Sequence, residues 1–154
     1  MAPASGHLAS VVAVVGACAP DLDLLLPVFG FASQHRGPSH SLGAAAIAGL
    51  VVFAVGRPFI PSRAAALLAL VMSAGWTSHL VLDGLGADSR LPLGLMALWP
   101  VSREYFVSPF PIFMDVTREL SWPVMRHNLV AMLWEIVLLT PTLLLAQRSR
   151  RGAR

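Results

Sequence analysis

"AAALLALVMSAGWTSHLVL", residues 64–82, is apolar over almost its whole length, yet a histidine stands three residues before its end and it runs into Asp83. A helix needs about 20 mostly apolar residues to cross the hydrocarbon of a bilayer. This run comes close to that length, so it reads as a membrane helix. Its last turn carries something else. His79 and Asp83 are four residues apart and therefore share one helical face. Ionisable groups at membrane depth are costly unless partnered, so the pair raises the question of what it faces.

Three further apolar segments flank this one: Leu8–Ala19, Leu42–Gly56 and Leu129–Ala146. The fourth approaches spanning length. The second reaches it if the helix starts near Pro38, and the first is short. Leu8–Ala19 has no basic segment before it and is followed by "PDLD" rather than a small-residue cleavage site, so it reads as retained. Composition agrees with a membrane protein. Of 154 residues, 56% are hydrophobic and only 12% charged, half the share usual in a soluble domain; the mean hydropathy is +0.70. The net charge of +3 comes from arginine, since lysine is absent. No basic stripe interleaved with aromatics runs through the chain, which argues against nucleic acid. One cysteine, Cys18, excludes an intrachain disulfide. The expectation is an all-α polytopic bundle with about four membrane-embedded helices, forming a single membrane-embedded domain over residues 1–154.

Between the third and fourth segments, Gly84–Asn128 holds five prolines and the aromatics Trp99, Tyr105, Phe106, Phe110, Phe113 and Trp122. Such a stretch suits the headgroup level. "GRPFIPSR", residues 56–63, and the tail "RSRRGAR" carry short runs of arginine, which favour the cytoplasm. With four crossings, the ends carrying Asp21, His40, Asp83 and His127 then face the periplasm.

Those ends hold most of the chemistry. Pro20 is expected to break the first helix and leave Asp21 and Asp23 in an extended turn. Side chains two apart then point the same way, toward one ion. "HRGPSH", residues 35–40, supplies His35 from a loop and His40 from the first turn of a helix begun by Pro38. Arg36 offers a planar fork for an anion. Imidazoles and carboxylates are ligands for zinc, manganese or iron, and one shared site needs the His40 and His79 rings within about 8 Å of each other. A carboxylate among Asp21, Asp23 and Asp83 is left to serve as general base. Glu135 lies two turns into the fourth segment, where it either pairs with an arginine or reaches the polar cavity. Trp76 is read as packing or anchoring.

These motifs, in this order, resemble the YdjM-like family of bacterial inner-membrane proteins. The likeness rests on an early "GH" (His7), "APDLDLLL", "HRGPSHSL", "SHLVLDGL" and "LWPVSREYF", and covers most of the chain. Where Ser39 stands the family usually has threonine, and after the "LD" turn this chain has Gly84-Leu85-Gly86 instead of a threonine. The resemblance implies a membrane-bound metal-dependent hydrolase in the inner membrane, with His7 added to the ligands His35, His40, His79, Asp83, Asp21 and Asp23. A fainter likeness to zinc-dependent phospholipase C enzymes covers only His79/Asp83. Their second, HxxxE pair has no counterpart here, because Ala131 precedes Glu135. The expected cofactor is a divalent metal, zinc first. The expected partners are membrane lipids and an anionic or phosphoester substrate, which the lipid itself can carry. The alternative is a transport or binding protein that moves protons or metal through the same residues.

Overall fold

Helix α1 spans Pro3–Cys18 and passes without a break into a 3-10 helix, Ala19–Phe29. The computed structural model describes residues 3–31, 35–89, 91–117 and 119–152. Its other helices are α2 (Leu42–Gly56), α3 (Ser62–Gly84) and α4 (Trp122–Gly152). Among the described residues β-structure is limited to two isolated bridges, so the all-helical expectation holds.

The lengths do not fall where the apolar runs suggested. Three stretches are long and apolar enough to cross a membrane: Gly6–Phe29, Ser62–Gly84 and Trp122–Ser149. The first segment is thus not short. Pro20 sits at the start of the 3-10 helix, where its missing N–H leaves no bond unmade, and winding continues to Phe29. It is α2 that falls short, at 15 residues. His40 N–H donates to the Gly37 carbonyl (2.9 Å), closing a turn before the helix. The helix itself starts behind Ser41, whose Oγ accepts from Ala44 N–H at 3.0 Å. That is an N-cap, and it moves the start from Pro38 to Leu42.

The chain forms two compact units, Met1–Gly84 with Arg90–Val107, and Leu85–Ser89 with Ser108–Arg154. In the first, α3 packs against both α1 and α2. Glycines permit the close approach: a Cβ at Gly16 would stand 2.6 Å from the Met72 carbonyl oxygen, and one at Gly75 only 2.5 Å from that of Ala13. Without a hydrophobic drive between helices in lipid, such contacts and interhelical hydrogen bonds hold the bundle. Ser73 Oγ supplies one, donating to the Ala45 carbonyl at 2.9 Å. The end of α3 meets the end of α1, since His79 bonds to Ala17, and also the start of α2, since Trp76 Nε1 donates to the Ser39 carbonyl at 2.9 Å. Helices α1 and α3 therefore run parallel, with α2 returning between their ends. Part of the proline- and aromatic-rich stretch closes over this end. Leu42 N–H donates to Ala97 O (2.9 Å), Met96 N–H to Arg36 O (3.0 Å), and Leu95 and Met96 are buried.

In the second unit the start of α4 is tied to the preceding segment. Asn128 exchanges two hydrogen bonds with the Thr117 backbone, and Trp134 Nε1 donates to the Ile112 carbonyl. His127 Nε2 lies 3.1 Å from Asp115 Oδ1. A hydrogen bond from Ser89, then the His127 contact, holds the Asp115 carboxyl below its ordinary value. Half-buried Glu135 makes no hydrogen bond or ion pair with another described residue.

Candidate metal centre

Four ligand-type side chains converge where α1, α2 and α3 meet. His40 Nε2 and His79 Nε2 are 3.3 Å apart, and their ring centroids are 5.2 Å apart. Asp21 Oδ1 lies 3.4 Å from the first nitrogen and 3.5 Å from the second. Asp83 Oδ2 lies 3.5 and 3.6 Å from the same two. Ligands about 2.1 Å from a tetrahedral ion stand about 3.4 Å from one another. The five separations that involve His40 or His79, 3.3–3.6 Å, fall at that edge length, and Asp21, His40 and His79 bring their ligand atoms within 4.8 Å of one another.

The donor set fits a cation on a second count. Asp83 Oδ2 is buried and has no hydrogen-bond partner, a state that is expensive for a carboxylate oxygen. Arg36 Nε is 3.7 Å away, which supplies charge without a bond. A divalent ion beside the two imidazoles would satisfy that oxygen.

Each imidazole is held with its Nε2 toward the centre. His79 Nδ1 donates to the Ala17 carbonyl at 2.8 Å, which leaves Nε2 with its lone pair free. His40 is fully buried and contacts Ser39 Oγ through Nδ1 at 3.0 Å. Ser39 in turn donates to Asp23 Oδ2 at 2.6 Å, and His35 Nδ1 donates to Asp23 Oδ1 at 2.9 Å. The network assigns the proton of His40 to Nδ1, the arrangement in which a carboxylate outside the ligand sphere orients a ligating histidine. Burial pushes His40 below its ordinary pKa, so it stands neutral at pH 7, the form that binds metal.

The two aspartates of "PDLD" therefore do different work, contrary to the extended-turn expectation. A 3-10 helix has three residues per turn, so side chains two apart diverge by about a third of a circle. Asp21 reaches the His40/His79 nitrogens while Asp23 reaches the far side of His40. Asp23, His35 and His40 also bring ligand-type atoms within 4.8 Å of one another. Within that trio His35 Nδ1 and Asp23 Oδ1 stand at a hydrogen-bonding 2.9 Å. His7 joins neither group. Helix α1 is continuous from Pro3 to Cys18, and eleven residues of helix from His7 to Cys18 amount to about 16 Å. His7 is exposed.

Arg36 takes a left-handed backbone, φ 64°, rare for a residue with a Cβ and found at functional sites when the surroundings enforce it. Gly37-Pro38 behind it and the Met96 bond to its carbonyl do so here. Sequence reasoning missed two contributors: Ser39, which joins His40 to Asp23, and Trp76, which fixes the Ser39 backbone. A serine directly preceding a buried ligand histidine was the available signal for the first. Nothing in the sequence marked the Ala17 carbonyl.

The sequence profile of the family described as YdjM inner membrane protein matches residues 2–153. No curated protein and no solved structure matches the chain.

Proposed function

The chain belongs to the YdjM inner membrane protein family, and from that premise we propose that it is a metal-dependent hydrolase of an ester or phosphoester. The observation that carries this reading is the set of separations around His40 and His79, with the orphaned Asp83 oxygen beside them. His40, His79 and Asp83 would hold the ion, zinc being the first choice for this donor set. Such an ion supplies a water of pKa about 7 and polarises a phosphoryl or carbonyl oxygen. Asp21 is about half exposed, at 47%. Open to water on one side and to the cluster on the other, it is the carboxylate suited to accept a proton as general base. Arg36 binds the anionic group of the substrate through its guanidinium. Ser39, Asp23 and His35 keep His40 in place.

Confinement of these groups to one end of the bundle supports hydrolysis over conduction. A proton or metal path needs ionisable groups along its length. Between Leu42 and Gly56, and between Ala64 and Thr77, the sequence has none. Purified protein with its metal is expected to cleave a phosphodiester such as bis-p-nitrophenyl phosphate or an ester analogue. Arg36→Lys should cut turnover by about tenfold or more, since lysine keeps charge and loses the fork. Metal-loaded protein inert toward phosphomonoesters, phosphodiesters and carboxylic esters alike would overturn the reading.

We assign the cluster to the periplasmic side of a multi-pass chain. The connector with Arg57 and Arg63 joins the opposite ends of α2 and α3, and arginine-bearing connectors favour the cytoplasm. In a Cys18→Ala background, Glu104→Cys should react with an impermeant thiol reagent in spheroplasts and Ser62→Cys should not. The reverse pattern would put the site in the cytoplasm.

A further inference from the structure

Glu135 takes no part in the metal centre. It is half-buried and makes no hydrogen bond or ion pair with another described residue. Its depth makes that costly. The candidate span runs Trp122–Ser149, and Glu135 stands about 20 Å of helix from either end. Half the hydrocarbon thickness is about 15 Å, so a span laid across the bilayer carries this carboxyl near the midplane. Polar groups at that depth need a partner.

No cation of this chain reaches the same level. Lysine is absent, and α2 contains no arginine. Within the candidate spans the arginines are Arg63, Arg126 and Arg148, each close to a span end. Even Arg126 is about 13 Å of helix from Glu135. A second copy has the same inventory and so brings no cation either. What it does bring to the midplane is Glu135 itself.

The sequence of α4 supplies a face for such a meeting. Asn128, Glu135 and Thr142 are spaced by seven residues, and Ala131, Leu138 and Leu145 follow them by three. That is the a/d pattern on which two parallel helices pack, here with a polar residue at each a position. In lipid such residues hold helices together through hydrogen bonds. The chain covers the first part of this face by itself: Asn128 is bonded to the Thr117 backbone, and Ala131 is fully buried. Farther along, Thr142 is exposed and Leu145 is 62% exposed. Thr142 Oγ1 donates to the Leu139 carbonyl at 2.6 Å, which leaves Glu135 as the unsatisfied member of the row.

We propose that α4 pairs in parallel with α4 of a second copy of this chain, with Glu135 hydrogen-bonded to Glu135 of the partner subunit. Copies inserted with one topology run α4 in the same direction. A two-fold axis along the membrane normal then brings equal depths together. Two carboxyl groups in the acid form exchange two hydrogen bonds, each O–H donating to the other's carbonyl oxygen. The pairing does not depend on the metal reading above.

The test is association of the full chain in liposomes of phosphatidylethanolamine and phosphatidylglycerol. It is read by energy transfer between copies labelled with donor or acceptor dye at Ser62→Cys in a Cys18→Ala background. Copies with native α4 are expected to show transfer that falls on lipid dilution as a dimer dissociates. Glu135→Leu suits hydrocarbon better, yet it should weaken association by about tenfold or more. Glu135→Gln, whose amide also donates and accepts, should retain it within about threefold. Oxidative crosslinking separates the faces of the helix: Leu138→Cys should give a disulfide-linked dimer, and Val137→Cys should not. Copies with native α4 that stay monomeric in these liposomes would overturn the proposal and favour a different membrane protein with a cation at that depth. Association unchanged by Glu135→Leu, association lost in Glu135→Gln, or crosslinking that prefers Val137→Cys would each overturn it as well. Circular dichroism distinguishes lost pairing from lost folding, and if Glu135→Leu loses its helix content the crosslinking pattern decides alone.

Discussion

Replacing His40 and His79 together with alanine is expected to abolish metal retention through purification and to lower affinity by more than about 100-fold. Every close contact in the cluster includes one of their two Nε2 atoms, so their loss leaves Asp21 and Asp83 with no intervening donor. Changes outside the ligand sphere should be milder. Asp23→Asn keeps the shape but removes the charge that Ser39 and His35 address, and such partners are typically worth about 10–100-fold in metal affinity. Ser39→Thr retains the hydroxyl and should be nearly silent. Acid should act in the same direction. Because burial depresses the His40 pKa, the unfolded chain takes up that proton first. The contribution of His40 to stability is therefore complete above about pH 6.5, the unfolded value, and is lost as pH falls through the lower folded value. Metal analysis and competition titration of the wild type and these variants measure the series. Full metal content in the double variant would sink the proposal for this site.

The contrast between Asp21 and Asp23 shows what the sequence could disclose. Membrane helices were legible because apolar runs declare themselves by length, and His79/Asp83 because a helix fixes the consequence of an i,i+4 spacing. "PDLD" was not, since a proline is compatible both with ending a helix and with starting a tighter one. The two outcomes aim the second carboxylate in different directions. The start of α2 was misplaced for a related reason. Pro38 suits a first turn, but Ser41 offers a side-chain acceptor to Ala44, and a satisfied N–H outweighs a preset φ. The convergence of His40 with His79 depends on α1, α2 and α3 meeting at one end, which the topology implied only in outline. The tautomer-fixing bond from His79 to the Ala17 carbonyl is a backbone contact across two helices, invisible to any motif.

That same contact makes the second large effect predictable. Gly75→Ala should destabilise the protein, although alanine is favoured over glycine by about 1 kcal/mol within a helix. Its Cβ would meet Ala13 O at 2.5 Å and Ala17 N at 3.2 Å. Both are backbone atoms of α1, so no rotamer change relieves the clash and the helices must separate. Overpacking of this kind costs about 1–3 kcal/mol. Gly6→Ala is the matched control: it lies in α1 with nothing within 4 Å of its Cβ, and should be neutral or slightly stabilising. Moving α3 away from α1 also stretches the 2.8 Å bond from His79 to Ala17 and the reach of Asp21 to His79. Gly75→Ala is therefore expected to lower metal affinity together with the thermal midpoint, while Gly6→Ala leaves both in place. A Gly75→Ala protein more stable than wild type, or less stable with metal affinity unchanged, would show that the α1–α3 contact does not position the site.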